Sequence, residues 1–135
     1  MTSQLPPELY RVVDANLNRL KEGIRVVEDI VRYKDNNKNI SSQLKQLRHK
    51  AKIKETLELL KERDSVNDVL RTTIKSELNR DDISSIILAN FKRAQESARV
   101  LEELYKLHNI EYSENFKQIR YELYTLEKSI LINNQ

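Results

Sequence analysis

Asn16, Arg19 and Glu22 return 74 residues later as Asn90, Arg93 and Glu96. These residue types at helical spacing can hold an anion. An arginine offers a planar fork of donors to phosphate or carboxylate, and an asparagine adds a donor and an acceptor. They sit in the row Val12, Asn16, Arg19, Gly23, Val26, Ile30, repeated as Ile86, Asn90, Arg93, Ser97, Val100, Leu104. Apolar residues close both ends of the row, so its polar middle needs partners, because an unpaired buried charge is costly. An anionic ligand or an acid such as Glu22 could supply them. Gly23 is the only glycine. In mid-helix it costs about 1 kcal/mol against alanine, so something there needs room: a close helix crossing or a ligand. Arg25, Glu28, Arg99 and Glu102 lie further round and read as a solvated ion-pair network. Arg63 and Asp64 fall in a polar loop, where functional residues concentrate. His49 and His108 have no second histidine at metal-ligand spacing.

The elements that must position these residues are helices. Val13, Leu17, Leu20, Ile24, Val27 and Val31 follow spacings of 4, 3, 4, 3, 4 and predict a helix from Pro6-Pro7-Glu8 to about Tyr33, stopping at Asp35. A second helix begins near residues 39–41 with Ile40, Leu44, Leu47 and Ala51 on one face. Its stripe then shifts to Ile53, Leu57 and Leu60, which predicts a bend near residues 50–54. Residues 62–68 read as a loop, and residues 69–79 as a short helix or surface loop. Asn79 or Asp81 is placed to cap a third helix carrying Ile87, Phe91, Ala94, Ala98, Leu101 and Tyr105 and ending near His108. Ser113 is placed to cap a fourth, with Phe116, Ile119, Leu123, Leu126 and Ile130 inward. Residues 1–5 are expected to fray. Ser41, Leu44, Lys45, Gln46 and Arg48 match Ser113, Phe116, Lys117, Gln118 and Arg120 at an offset of 72. The repeating unit is therefore a helical hairpin, about residues 8–62 and again 81–133. The expected fold is one all-α domain over residues 1–135: a four-helix bundle with an internal two-fold, a bent second helix and an irregular middle.

Composition agrees. The chain has 135 residues, 39% hydrophobic and 33% charged, with one glycine and two prolines, so breakers are nearly absent. Without cysteine, disulfides and thiolate metal sites are excluded. No apolar run reaches signal-peptide or membrane-span length, and a cytoplasmic location is expected. A net charge of +3 suits an anionic small molecule. Interspersed signs and the lack of an aromatic ladder weigh against nucleic acid. Glycine-rich phosphate loops and hydrolase or kinase catalytic-loop motifs are absent.

The segments Asp14-Ala15-Asn16-Leu17-x-Arg19-x-x-Glu22-Gly23-x-Arg25-Val26-Val27-Glu28-Asp29, Leu47-Arg48-His49, Arg63-Asp64 with Asp68-Val69, Ala89-Asn90-Phe91-x-Arg93-x-x-Glu96-x-x-Arg99-Val100-Leu101-Glu102-Glu103 and Phe116-Lys117-x-x-Arg120-Tyr121-x-x-Tyr124 are specific. Together they resemble the small helical hydroxymethylpyrimidine phosphate kinases of thiamin biosynthesis. That family occurs alone or fused ahead of thiamin phosphate synthase, and often carries the synthase label. The resemblance spans about residues 10–130 and departs at Val69-Leu70, where the family pattern has Val-Gly.

The resemblance implies ATP-dependent phosphorylation of 4-amino-5-hydroxymethyl-2-methylpyrimidine phosphate to its diphosphate, with Mg²⁺. In that chemistry Arg19 and Arg93 are expected to clamp the transferring phosphate, with Asp64 beside the reaction. Asn16, Asn90, Arg48, Arg120 and Arg63 are expected to bind substrate, and Glu22 and Glu96 to lie near the metal. Synthase activity is not implied, because it belongs to a barrel domain of roughly 200 or more residues. A homodimer, or a complex with the synthase, is the expected assembly. The rival readings are a non-catalytic pyrimidine-phosphate-binding or synthase-partner module and, more remotely, a nucleic-acid-binding helical protein.

Overall fold

Residues 5–73 and 82–133 are described by a computed structural model. Five α-helices, with no strand among the described residues, follow in order: α1 Pro7–Asp29, α2 Lys38–Lys50, α3 Thr56–Glu62, α4 Ile83–Tyr105 and α5 Ile110–Asn133. A single π-helical turn, Ile30–Lys34, extends α1. Helices α1 and α4 form the central seam. α2 and α3 pack on α1, and α5 packs on α4. The fold is the expected all-α bundle of two hairpins, except that the second helix is broken rather than bent.

The apolar stripes account for the core. All six stripe positions of α1 and its π turn, and all six of α4, are buried, as are Phe116, Ile119, Leu123, Leu126 and Ile130 on α5. The second hairpin partner departs from its expected stripe. Leu44, Leu47, Ala51 and Ile53 are buried, but Leu57 and Leu60 are exposed and Leu59 faces inward instead. The chain leaves helical geometry at residues 51–55, so the phase of α3 is set afresh by its packing on α1. Leu5, expected to fray, packs into the core at 5% exposure.

The caps also correct the expectation. Asn37 caps α2 by accepting from the Ile40 N–H at 3.0 Å, and Asn109 accepts from the Tyr112 N–H at 3.1 Å, so the repeat carries its cap with it. Ser113 is already inside α5; its buried hydroxyl donates to the Glu102 carbonyl at 2.9 Å. Asp82 caps α4 through the Ser85 N–H at 2.8 Å. Asn79 and Asp81 lie outside the described residues, as do residues 74–78 of the uncertain middle segment.

At the seam, α1 and α4 run antiparallel. A Cβ on Gly23 would stand 2.9 Å from the Asn90 carbonyl oxygen and 3.3 Å from the Ala94 Cβ. The glycine is there for a close helix crossing. The start of α1 meets the end of α4, where the Tyr105 hydroxyl feels the field of Tyr10. Tyr105 stacks edge-on against Tyr112 at 5.1 Å, and its hydroxyl is buried without a hydrogen-bond partner. Desolvation, reinforced by Glu55, pushes that phenol far above its ordinary value. A raised tyrosine pKa favours the neutral folded form, so stability is intact below about pH 10 and falls as pH rises beyond it. Tyr105→Phe removes an unsatisfied buried group and is expected to stabilise by about 1 kcal/mol at pH 7. It should also flatten the alkaline loss, leaving the part due to Tyr10 and Tyr112. Urea unfolding at pH 7 and 10.5 checks both.

Candidate functional site

The repeated charged residues sort into two groups. In the first, carboxylates are buried and held by arginine forks. Glu28 accepts from Arg48 Nε at 2.7 Å and Nη2 at 3.2 Å. Its counterpart Glu102 accepts from Arg120 at 3.0 Å, and Arg120 also donates to the Tyr124 hydroxyl at 3.2 Å. Asp14 accepts from both edges of Arg63 at 2.7 Å. Each carboxylate pushes its arginine's pKa further up, though for Arg120 the Tyr124 hydrogen bond contributes most. Glu28 and Glu102, expected in a solvated network, are instead 1% and 3% exposed. They face the partner helix of their own hairpin, and the arginine that neutralises each comes from that helix. The arginines of that network are half-exposed as expected: Arg25 pairs with Asp29, and Arg99 pairs with exposed Glu103 and also with buried Glu102. Arg48, Arg120 and Arg63, expected to bind substrate, are thus engaged with carboxylates.

The second group is unpaired. Arg19, Glu22, Arg93 and Glu96 are exposed and engage no hydrogen bond or ion pair among the described residues. The expectation of a row buried throughout is corrected here. Asn16, Gly23 and Ser97 are buried against the seam, while Arg19 and Arg93 emerge along its edge beside half-exposed Val12, Val26 and Val100. The crossing at Gly23 fixes the register. Four residues back from Gly23 lies Arg19, and four residues on from the middle of the 90–94 contact lies Glu96. One residue back is Glu22, level with Arg93. Each arginine therefore stands level with a glutamate of the other helix, about the pseudo-two-fold. Asn16 and Asn90 donate to their own helix at Val12 O (2.9 Å) and Ile86 O (2.8 Å), which leaves their amide oxygens as acceptors.

The loop after α3 is tied to the first hairpin. Arg11 donates to the Asp64 carbonyl at 3.0 Å. Asp64 accepts from the Asn67 N–H and side-chain amide, which hold its carboxyl below the usual range. The field of Glu22 reaches Arg63. The structure thus brings Glu22 toward the Arg63 loop, but it turns Asp64 back on its own turn. No group of three or more His, Asp or Glu able to hold a metal occurs among the described residues. An all-protein cage is not what magnesium with phosphates requires, since one or two carboxylates suffice. Glu22 and Glu96 fit that role as unpaired hard-oxygen donors.

The chain matches the ThiD2 family over residues 11–129. It belongs to that family. The curated proteins it is similar to include the thiamine-phosphate synthases of Nostoc punctiforme (38% identical over 95% of this chain and 37% of the relative), Synechocystis (37%, over 97% and 38%) and Rhodopirellula baltica (33%, over 92% and 34%). The chain thus spans little more than a third of the relatives it matches. No solved structure matches it. Family membership and these relatives place the ThiD2 chain in thiamin biosynthesis.

One further feature of this ThiD2 chain escaped the sequence reading. A cleft of about 360 Å³ opens where α1, its π turn and α2 meet, lined by Arg32, Lys38, Ser41, Ser42 and Lys45 with Glu28 behind. The only trace of it in the sequence is the change of repeat offset from 74 to 72. No helix among the described residues is long and apolar enough to cross a membrane.

Proposed function

We propose that this chain transfers the γ-phosphoryl group of ATP to 4-amino-5-hydroxymethyl-2-methylpyrimidine phosphate, giving the diphosphate and ADP for thiamin biosynthesis. The observation that carries this reading is the set of unpaired Arg19, Arg93, Glu22 and Glu96 astride the seam. A helix pair that engages its other repeated charges leaves two cations and two carboxylates without a hydrogen bond or ion pair among the described residues, within about one turn of one another along the seam. The relatives named as synthases are much longer proteins, of which this chain matches 37% in the Nostoc punctiforme case. The synthase reaction needs a strand-built barrel, and the described part of this chain is helical. A kinase would make the diphosphate on which that reaction draws.

The chemistry asks little of the protein beyond alignment. The acceptor is a phosphate oxygen, largely ionised at neutral pH because its second pKa is about 6. It attacks the γ-phosphorus and forms a new P–O bond, while the bond from that phosphorus to the β–γ bridging oxygen breaks and ADP departs with the electron pair. No general base is required. Arg19 and Arg93 neutralise and orient the two anions as charge shifts between them. Glu22 and Glu96 would hold Mg²⁺ brought by the nucleotide, which would supply positive charge to the phosphates. Asn16 and Asn90 offer amide oxygens to the exocyclic amine of the pyrimidine.

Incubating the chain with Mg-ATP and the pyrimidine monophosphate should give the diphosphate and ADP in equal amounts, resolved by anion-exchange chromatography. Ligand binding without any product would replace this reading with that of a non-catalytic pyrimidine-phosphate-binding module.

A further inference from the structure

The two hairpins keep the same Glu–Arg pair but separate its members by 20 residues in the first and 18 in the second. The first hairpin must therefore absorb two extra residues without disturbing the pair. It does so with the π turn, where the Asp35 N–H reaches the Ile30 carbonyl, and with Asn36 at φ 52°. Inserted π turns frequently mark functional sites. Here the insertion accompanies the cleft between the π turn and α2.

The cleft's charge has no internal use. Arg32, Lys38 and Lys45 line it and form no ion pair among the described residues; Arg32 rests over the Tyr33 ring at 4.9 Å. The one carboxylate in the wall, Glu28, is already neutralised by Arg48 at 2.7 Å. Three cations and two serine hydroxyls thus face a cleft of about 360 Å³, a size typical of small-ligand sites, roughly 300–1,000 Å³. The second hairpin supplies the control. There Lys45 and Ser41 recur as Lys117 and Ser113, but Arg32 is replaced by Lys106, which is bonded to Glu103 at 2.7 Å, Lys38 by Ile110, and Ser42 by Glu114. The helical scaffold accepts those residues, so Arg32, Lys38 and Ser42 are not requirements of folding.

We propose that this cleft is a polyphosphate-binding site, taking inorganic pyrophosphate or the phosphate chain of a nucleotide. None of its lining residues is aromatic, so it recognises phosphoryl groups rather than a ring. Three cations suit the charge of about −3 to −4 on such a chain. It is distinct from the proposed transfer site. Arg32 lies 13 residues beyond Arg19, about 20 Å along the helix and roughly 140° round it.

The test is an NMR titration of the full chain, reading the backbone amides of residues 32–45, with pyrophosphate, ATP and orthophosphate as separate probes. Pyrophosphate and ATP are expected to move the same amides saturably and with similar affinity, and orthophosphate to bind at least 10-fold more weakly. Lys38→Ile with Ser42→Glu, the residues of the second hairpin, should weaken pyrophosphate at least 10-fold. Lys45→Gln serves as a milder variant should the double one lose its fold. Arg19→Ala should leave the cleft's affinity unchanged, so this result is independent of whether the chain turns over substrate. No saturable shift with pyrophosphate, equal affinity in a folded double variant, binding of ATP alone, or equal affinity for orthophosphate would each overturn the proposal.

Discussion

Arg48→Ala is expected to destabilise the protein by about 3–5 kcal/mol, because it strands the Glu28 carboxylate in the interior. Glu28 is 1% exposed and its two oxygens are held by Arg48 alone. Arg120→Ala repeats the experiment in the other hairpin with one difference: Glu102 also contacts Arg99 at 3.1 Å. A second, half-exposed cation remains to compensate, so the loss should be smaller, nearer about 2 kcal/mol. Domains of this kind have only about 5–15 kcal/mol of stability in total, so Arg48→Ala should show a large drop in urea midpoint. Glu28→Met with Arg48→Met removes both charges and should recover most of the loss, since a well-packed apolar pair can replace a buried ion pair. Equal, small losses for both arginine variants would mean that water reaches Glu28 after all.

The unpaired arginines should behave in the opposite way. Arg19→Ala and Arg93→Ala break no hydrogen bond or ion pair among the described residues, and each is expected to leave stability within about 0.5 kcal/mol of the parent. If each donates to the transferring phosphate, each variant should lose about 10²–10³-fold in kcat, the range seen when one donor to developing charge is deleted. Should the pseudo-two-fold enclose one site used by both hairpins, the double variant will fall little further than either single one, because residues acting as a unit are not additive. Should only one hairpin be active, one single variant will keep parental kcat. Arg19→Lys is expected to recover only part of the activity, since an ammonium replaces charge but not the planar fork. Steady-state ADP release, with unfolding followed in parallel, separates these outcomes.

The fold was largely legible in the sequence because hydrophobic spacing reports directly on burial: every residue of the stripes on α1, α4 and α5 is buried in the core. The stripe failed at Leu57 and Leu60, where the helix breaks and period arguments lose their phase. The site was legible only in part. The 74-residue repeat singled out Arg19, Arg93, Glu22 and Glu96, and these four engage no hydrogen bond or ion pair among the described residues. Arg48, Arg63 and Arg120 carry the same chemistry, but their carboxylate partners lie 20, 49 and 18 residues away. Spacing along one helix cannot reveal a partner chosen by packing between two. For the same reason Glu28 read as a surface residue.

The Glu28–Arg48 and Glu102–Arg120 pairs also bear on the order in which the chain assembles. Each ties a hairpin to itself across 20 or 18 residues, whereas the crossing at Gly23 joins residues 67 positions apart at Asn90. Closing the longer loop costs about 1 kcal/mol more entropy from an extended chain. Closing the first staple shortens that loop by about 20 residues and lowers its cost by about 0.3 kcal/mol, and the seam can then form by docking two hairpins that are each already closed. The proposed transfer site exists only along that seam, so it is the last part of the molecule to come into being.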